Sequence, residues 1–228
     1  KDIRNKQQLF DAEVWYTTGR IYELQQNPIK ERFDFDHLKA VHKYIFQDLY
    51  GWAGETRTVD IGKGNLFCPV QNISPYADSV FNGFARDCFA NRHDQERFIH
   101  AFTDHYADMN ALHPFREGNG RSQREFAREL CLYCGYEFDL TKTTHEQMLD
   151  ASIWSFNKGN ERLKAIFMNT ITPITDRGAL QERLKDKIVT LSNDDVPAKR
   201  RISKSSYPSF MHDNYDNKQN ADDSTDFQ

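Results

Sequence analysis

Between His113 and Arg124 the chain reads HPFREGNGRSQR, which places a histidine, a glutamate, two glycines and the arginines Arg121 and Arg124 within twelve positions. Gly118 and Gly120 are unfavourable inside a helix by about 1 kcal/mol each relative to alanine. Pro114 removes a backbone donor. From Arg121 onward, however, the pattern is helical again. A helix that starts just after glycines presents unpaired N–H groups and the positive end of its dipole, and no Cβ keeps an anion away. Gly118, Asn119 and Gly120 are therefore candidates for a phosphate nest. Arg121 and Arg124, three residues apart, share a helix face and can clamp further phosphate oxygens. Glu117 is placed to hold a hard cation such as Mg²⁺, which takes one or two carboxylates together with substrate phosphates. A histidine side chain in general titrates near neutrality, so His113 is a candidate to accept a proton from an attacking hydroxyl.

Each of these residues has an ordinary reading on its own: a helix-end histidine, a surface carboxylate, a solvated arginine face, a glycine turn. Together they point to nucleotide phosphate chemistry. The turn is neither a Walker A loop nor a dinucleotide fingerprint, because the lysine and the preceding strand are missing.

The elements that must hold this turn follow from periodicity. Leu9, Phe10, Val14, Trp15, Ile21 and Tyr22 predict an amphipathic helix over about Gln7–Leu24, closed by Asn27-Pro28. Leu38, Val41, Ile45, Phe46 and Leu49 predict a second over Asp36–Tyr50, ended by Gly51. In WAGETRTVDIGKGNLFCPVQNI the period changes, and a β-hairpin of roughly a dozen residues is expected there. Helices follow over about Pro75–Phe89 and Asp94–Leu112, then from the turn to Cys134, where Gly135 stops the helix. Two more are expected, Thr144–Phe156 with a capping threonine, and Asn160–Thr170. The expected fold is all-α, a helical bundle with one short β-hairpin. Beyond Pro173 a charged stretch, about Ala179–Leu191, predicts one further helix, and the polar run from Ser192 reads as a disordered tail or linker.

The bulk properties exclude several classes. The 228 residues suit one domain of ordinary size with an appendage. A net charge of −4 gives no general case for nucleic acid as a partner. No apolar run approaches the roughly 20 residues that span a bilayer, so no membrane span is expected. The N-terminal stretch lacks the apolar region of a secretory signal peptide. Four cysteines are too few for a disulfide framework and fit a reducing compartment. Cys131 and Cys134 form a CxxC without a second ligand pair, so they read as core residues.

HPFREGNGRSQR resembles the signature of Fic-domain proteins, HxFx(D/E)GNGRxxR, at every specified position. DLYGWAGETRTVDI and the hairpin after it resemble the family's Trp-Ala-Gly turn and flap, and the likeness runs from about Asp36 to Met168. The resemblance implies a Fic fold, with a Fic domain over residues 1–175 (core about 36–170) and a C-terminal extension over 176–228. It also implies transfer of AMP from ATP to a Tyr, Ser or Thr hydroxyl of a target protein. In that scheme His113 deprotonates the hydroxyl and Glu117 holds Mg²⁺. Gly118, Asn119 and Gly120 form the anion hole, and Arg121 and Arg124 bind the β- and γ-phosphates. Phe115 anchors the loop. Ile61, Gly62, Lys63, Gly64, Asn65, Leu66 and Phe67 form a flap that docks the target by strand addition.

Other reactions on the same scaffold stay open: phosphocholine transfer, phosphorylation, removal of AMP, or docking without catalysis. Doc toxins, which phosphorylate, carry a lysine at the position of Gly120, so the glycine favours AMP transfer. The family's built-in inhibitory pattern, (S/T)xxxE(G/N), is not found; in TTGRIYELQQN, Glu23 stands at the wrong spacing from Thr18. The chain thus resembles the class restrained by a separate small antitoxin that supplies the glutamate. It also resembles the Fic effectors that Bartonella delivers into host cells by type IV secretion. A bacterial cytoplasm or a host-cell cytosol is the implied location; the oligomeric state is not read from the sequence.

Overall fold

The computed structural model describes residues 5–29, 32–63, 65–176, 178 and 180. Among them the order of helices and strands is α1 Lys6–Gln26, α2 Phe35–Phe46, β1 Gly62–Lys63, β2 Asn65–Leu66, α3 Ile73–Ala90, α4 Gln95–Leu112, α5 Asn119–Tyr133, β3 Tyr136–Phe138, α6 His145–Lys158, α7 Glu161–Thr170 and β4 Ile171–Pro173. Side chains start four of the helices. Asn5, Asp34 and Asp94 each accept from a first-turn N–H of α1, α2 and α4, and Thr144 forms a reciprocal capping box with Gln147 on α6. Helix α5 has no such cap: Gly118 precedes it in the left-handed region, φ 81°. Its first N–H groups are left for another partner.

Helix α4 is central and packs against α3, α5, α6 and α7, while α5 packs on α2 and α4. The core between them is aromatic. Phe126 meets Phe33 and Phe81 edge-on, and Phe167 meets Phe102, Tyr106 and Phe138 edge-on. Edge-to-face pairs of this kind contribute about 0.5–1.5 kcal/mol each beyond burial. Cys88, Cys131 and Cys134 are buried free thiols, and burial pushes all three up in pKa. Among the described residues no group of three potential ligands could hold a metal. No described helix is long and apolar enough to cross a membrane.

Four features differ from the sequence expectations. Helix α1 forms, but much of its apolar stripe faces outward: Phe10, Val14, Trp15 and Tyr22 are exposed, whereas Thr17 and Leu24 are buried and Ile21 packs on the core. Helix α2 ends at Phe46, because the Phe46 carbonyl accepts from both Leu49 and Tyr50 at 3.0 Å and tightens the chain into turns. The hairpin is shorter than a dozen residues, with two-residue strands paired Gly62 to Leu66 and Lys63 to Asn65. A second antiparallel pair, unforeseen in the sequence, joins β3 to β4 with Glu137 opposite Thr172. Three residues are too few to display a period of two. The expected helix from Ala179 lies, apart from Leu180, outside the described residues, as does the tail from Ser192.

Candidate active site

The last turn of α4 and the open start of α5 face each other across the segment 113–118. His113 ends α4 in the left-handed region, φ 43° and ψ 59°. This backbone is uncommon for a residue with a side chain. Its Nδ1 lies 3.2 Å from the Asn110 carbonyl, which can only accept. Nδ1 therefore carries a proton, and in the neutral ring the lone pair would fall on Nε2, the form a general base needs. The ring stacks on Phe67 at 3.7 Å between centroids, 10° from parallel.

Arg57 fixes the backbone of this residue. The guanidinium is buried and donates to the carbonyls of His113 at 3.0 Å and Val59 at 2.8 Å, and also to that of Cys68. The Arg57 N–H donates to the Pro114 carbonyl at 2.9 Å. One side chain thus ties the base of the hairpin to the histidine. Burial lowers the Arg57 pKa, and its charge is met mostly by carbonyl dipoles, with Asp60 3.8 Å away.

The turn itself is laced from within. Phe115 is fully buried, and its N–H donates to Asn119 Oδ1 at 2.8 Å while Asn119 Nδ2 donates to the Phe115 carbonyl at 2.7 Å. The Asn119 side chain is therefore a staple, and the anion-facing groups at 118–120 are main-chain. A Cβ on Gly118 would sit 2.2 Å from Phe46 Cζ, so a side chain is excluded by space as well as by φ. A Cβ on Gly120 would lie 3.0 Å from Arg124 Nη1, so this glycine gives the arginine room over the helix start. Gln123 Nε2 donates to the Met109 carbonyl at 3.0 Å and locks α5 to the end of α4.

A cleft of about 390 Å³ opens over these groups, lined by His113, Glu117, Gly118, Asn119, Gly120 and Arg124. The hairpin adds Ile61, Gly62 and Phe67 to its rim. Leu66 is exposed, and Gly64 lies outside the described residues. Helix α6 forms a wall with no counterpart among the expected site residues: His145, Met148, Leu149, Ser152, Ile153 and Phe156. Their helical spacing reads as a core stripe in the sequence, yet Leu149 and Ile153 are half exposed to the cleft. Asn110 and Tyr106 of α4 also line it.

The two arginines part company. Arg121 does not line the cleft. Its Nη2 pairs with Glu13 of α1 at 3.0 Å, its Nη1 reaches Thr17 Oγ1 at 3.5 Å, and its guanidinium lies over Phe46. Arg124 lines both the cleft and a hollow on the far side of α5 of about 700 Å³, and among the described residues it makes no hydrogen bond or ion pair. Glu117 is 53% exposed, accepts from Gly118 N–H at 2.8 Å, and lies 3.6 Å from Arg121. A single half-exposed carboxylate at the mouth of an anion site fits Mg²⁺ carried in on phosphate oxygens.

A helix start without a side-chain cap, a histidine whose Nδ1 faces a carbonyl, and a half-exposed carboxylate thus meet at one cleft of a helical fold. Residues 32–131 match the Fic/DOC family. The chain carries a domain of that family. It is 36% identical over 174 residues to the protein adenylyltransferase VbhT of Bartonella schoenbuchensis, covering 76% of this chain and 36% of that one. It is 44% identical over 126 residues to the probable protein adenylyltransferase y4lH of Sinorhizobium fredii, covering 54% of this chain and 66% of that one. The chain therefore spans less than two thirds of the length of either relative. The fold is similar to that of the BepC effector of Bartonella tribocorum, solved with bound AMPPNP, with a TM-score of 0.70, 20% identity, and coverage of 75% of this chain and 90% of that one.

Proposed function

We propose that the chain transfers AMP from ATP to a hydroxyl of a target protein. The observation that carries the reading is the uncapped start of α5 at one cleft with His113 in its Nε2-basic form. The triphosphate rests on the N–H groups of 118–120, with Arg124 on its β- and γ-phosphates. The target hydroxyl gives its proton to His113 Nε2 as its oxygen bonds to the α-phosphorus. The bond from that phosphorus to the bridging oxygen breaks, and pyrophosphate leaves. Glu117 would hold Mg²⁺, which would supply charge neutralisation on the phosphates. Positioning and preorganised charge are the main sources of rate in such transfers. Arg121, engaged with Glu13, would meet phosphate only after leaving that carboxylate. The half-exposed apolar wall of α6 suits a nucleoside base, and the hairpin edge suits an extended target segment. The names of the relatives, protein adenylyltransferases, support the same reading. The proposed setting is a bacterial cell or a host cytosol reached as an effector, with a small antitoxin supplying a glutamate to Arg124 as the restraint.

The test is incubation with a cell lysate, Mg²⁺ and ATP labelled at either the α- or the γ-phosphate. Labelling of a protein from the α-position alone, lost in His113→Ala, supports AMP transfer. Label from the γ-position instead indicates phosphorylation, and labelling unchanged in His113→Ala removes the histidine from the mechanism.

A further inference from the structure

His42 lies on α2, outside the signature, and is buried. It is stacked on Phe115 at 3.9 Å and tilted against Phe46 at 4.7 Å between centroids. The Gly54 N–H donates to its Nδ1 at 2.8 Å, so Nδ1 is an acceptor and the proton is on Nε2. Nε2 in turn stands 3.0 Å from the Glu117 carbonyl and donates to it. The ring therefore bridges two turns that are far apart in the chain: Gly54, which leads to the hairpin, and Glu117–Gly118, which opens the anion nest.

A trans peptide is planar, and its C=O and N–H point in opposite directions. With the Glu117 carbonyl drawn inward to His42, the N–H of the same peptide, on Gly118, is turned outward. It points to the Glu117 carboxylate at 2.8 Å, on the side where both residues line the cleft. Gly118, at φ 81°, has no Cβ to hold this peptide against the alternative flip, so the orientation must come from a partner.

We propose that His42 is a positioning residue for the anion site: its Nε2–H holds the Glu117 carbonyl and thereby turns the Gly118 N–H, which the Glu117 carboxylate caps in this structure, to the cleft side of the peptide. This rests on the reading of that cleft as a phosphate site. The two ring nitrogens can be tested separately. A glutamine amide overlays Nε2 and keeps the donor for Glu117, whereas an asparagine carbonyl overlays Nδ1 and keeps only the acceptor for Gly54. Both replacements give up the ring stack, so their packing losses are shared.

The experiment measures Mg²⁺·ADP affinity by calorimetry and AMP transfer by α-labelled ATP for wild type, His42→Gln and His42→Asn, with melting temperatures alongside. The Gln variant should keep ADP affinity within about threefold, and the Asn variant should lose about tenfold or more, the effect of one lost oriented donor. Equal losses in both variants reduce His42 to packing and overturn the proposal, as does a pair of variants that both bind like wild type. A wild type that binds ADP with the Gln/Asn split but transfers no AMP leaves His42 in place and fails the proposed activity. A wild type that binds neither ADP nor pyrophosphate overturns the His42 proposal, because there is then no anion site to aim. Should the variants not fold, ¹⁵N-histidine spectra of the wild type decide. A neutral ring at pH 7 protonated on Nε2 is required; an Nδ1–H tautomer overturns the proposal.

Discussion

The signature turn and the hairpin face each other across one cleft and are built in opposite ways. The turn is held from inside: Asn119 staples Phe115, His42 takes the Glu117 carbonyl, Gln123 reaches back to α4, and Phe46 fills the space beside Gly118. The hairpin has two paired residues on each strand and an exposed Leu66 at its end. Its base is fastened by Arg57 and by the Cys68 N–H on the Ala111 carbonyl, and Phe67 stacks on His113. In the proposed function the nucleotide side is thus the preorganised one, and the side proposed to meet a protein target is the short hairpin with its exposed Leu66. In that reading, chemistry and target recognition occupy one cleft without competing for the same residues.

This contrast is open to attack at its stiff end first. Gly118→Ala forces a Cβ into the buried Phe46 ring and strains a left-handed backbone, and it should cost about 4 kcal/mol in urea unfolding. A loss below 1 kcal/mol would mean that the turn is adaptable after all. Acid should weaken the same region. Burial lowers the His42 pKa from 6.5 to about 4. Between those values the unfolded chain binds more protons, so stability falls as pH falls. The contribution, about 3 kcal/mol, is complete above the unfolded value and lost toward pH 4. Unfolding of wild type and His42→Gln compared from pH 7 to pH 4 should show a steeper decline in wild type.

Asn119→Ala strands a buried N–H and a buried carbonyl of Phe115 and should cost about 2 kcal/mol. Leu66→Ala at the soft end should change stability by less than about 0.5 kcal/mol. Its effect should appear instead as a raised KM for the protein target with unchanged ADP affinity. A Leu66 variant that melts markedly lower would erase the distinction between the two sides.

Much of the stiff side was legible because its signals are local. Two glycines and a proline between helical runs mark a turn whatever surrounds them, and α4 and α5 show their periodicity over many residues. The partner of Arg121 was not legible: Glu13 lies 108 positions away, and nothing near either residue announces the pair. The outward face of α1 was misread for a related reason. Periodicity shows that Phe10, Val14 and Trp15 share a side, but not whether anything covers it. The α6 wall carries a core-like stripe because a nucleotide-sized cleft and a protein interior ask for the same apolar residues. Strands β3 and β4 are short, and their pairing depends on the chain returning after two helices.

The left-handed backbone at His113 has an evolutionary consequence. A histidine there is strained, and glycine would relieve the strain. The residue proposed as the base is therefore one that selection for stability alone would replace. Under relaxed selection for activity, position 113 should drift toward glycine or asparagine sooner than toward alanine. A domain of this kind that has lost its chemistry should be recognisable by that exchange, with the rest of its turn intact.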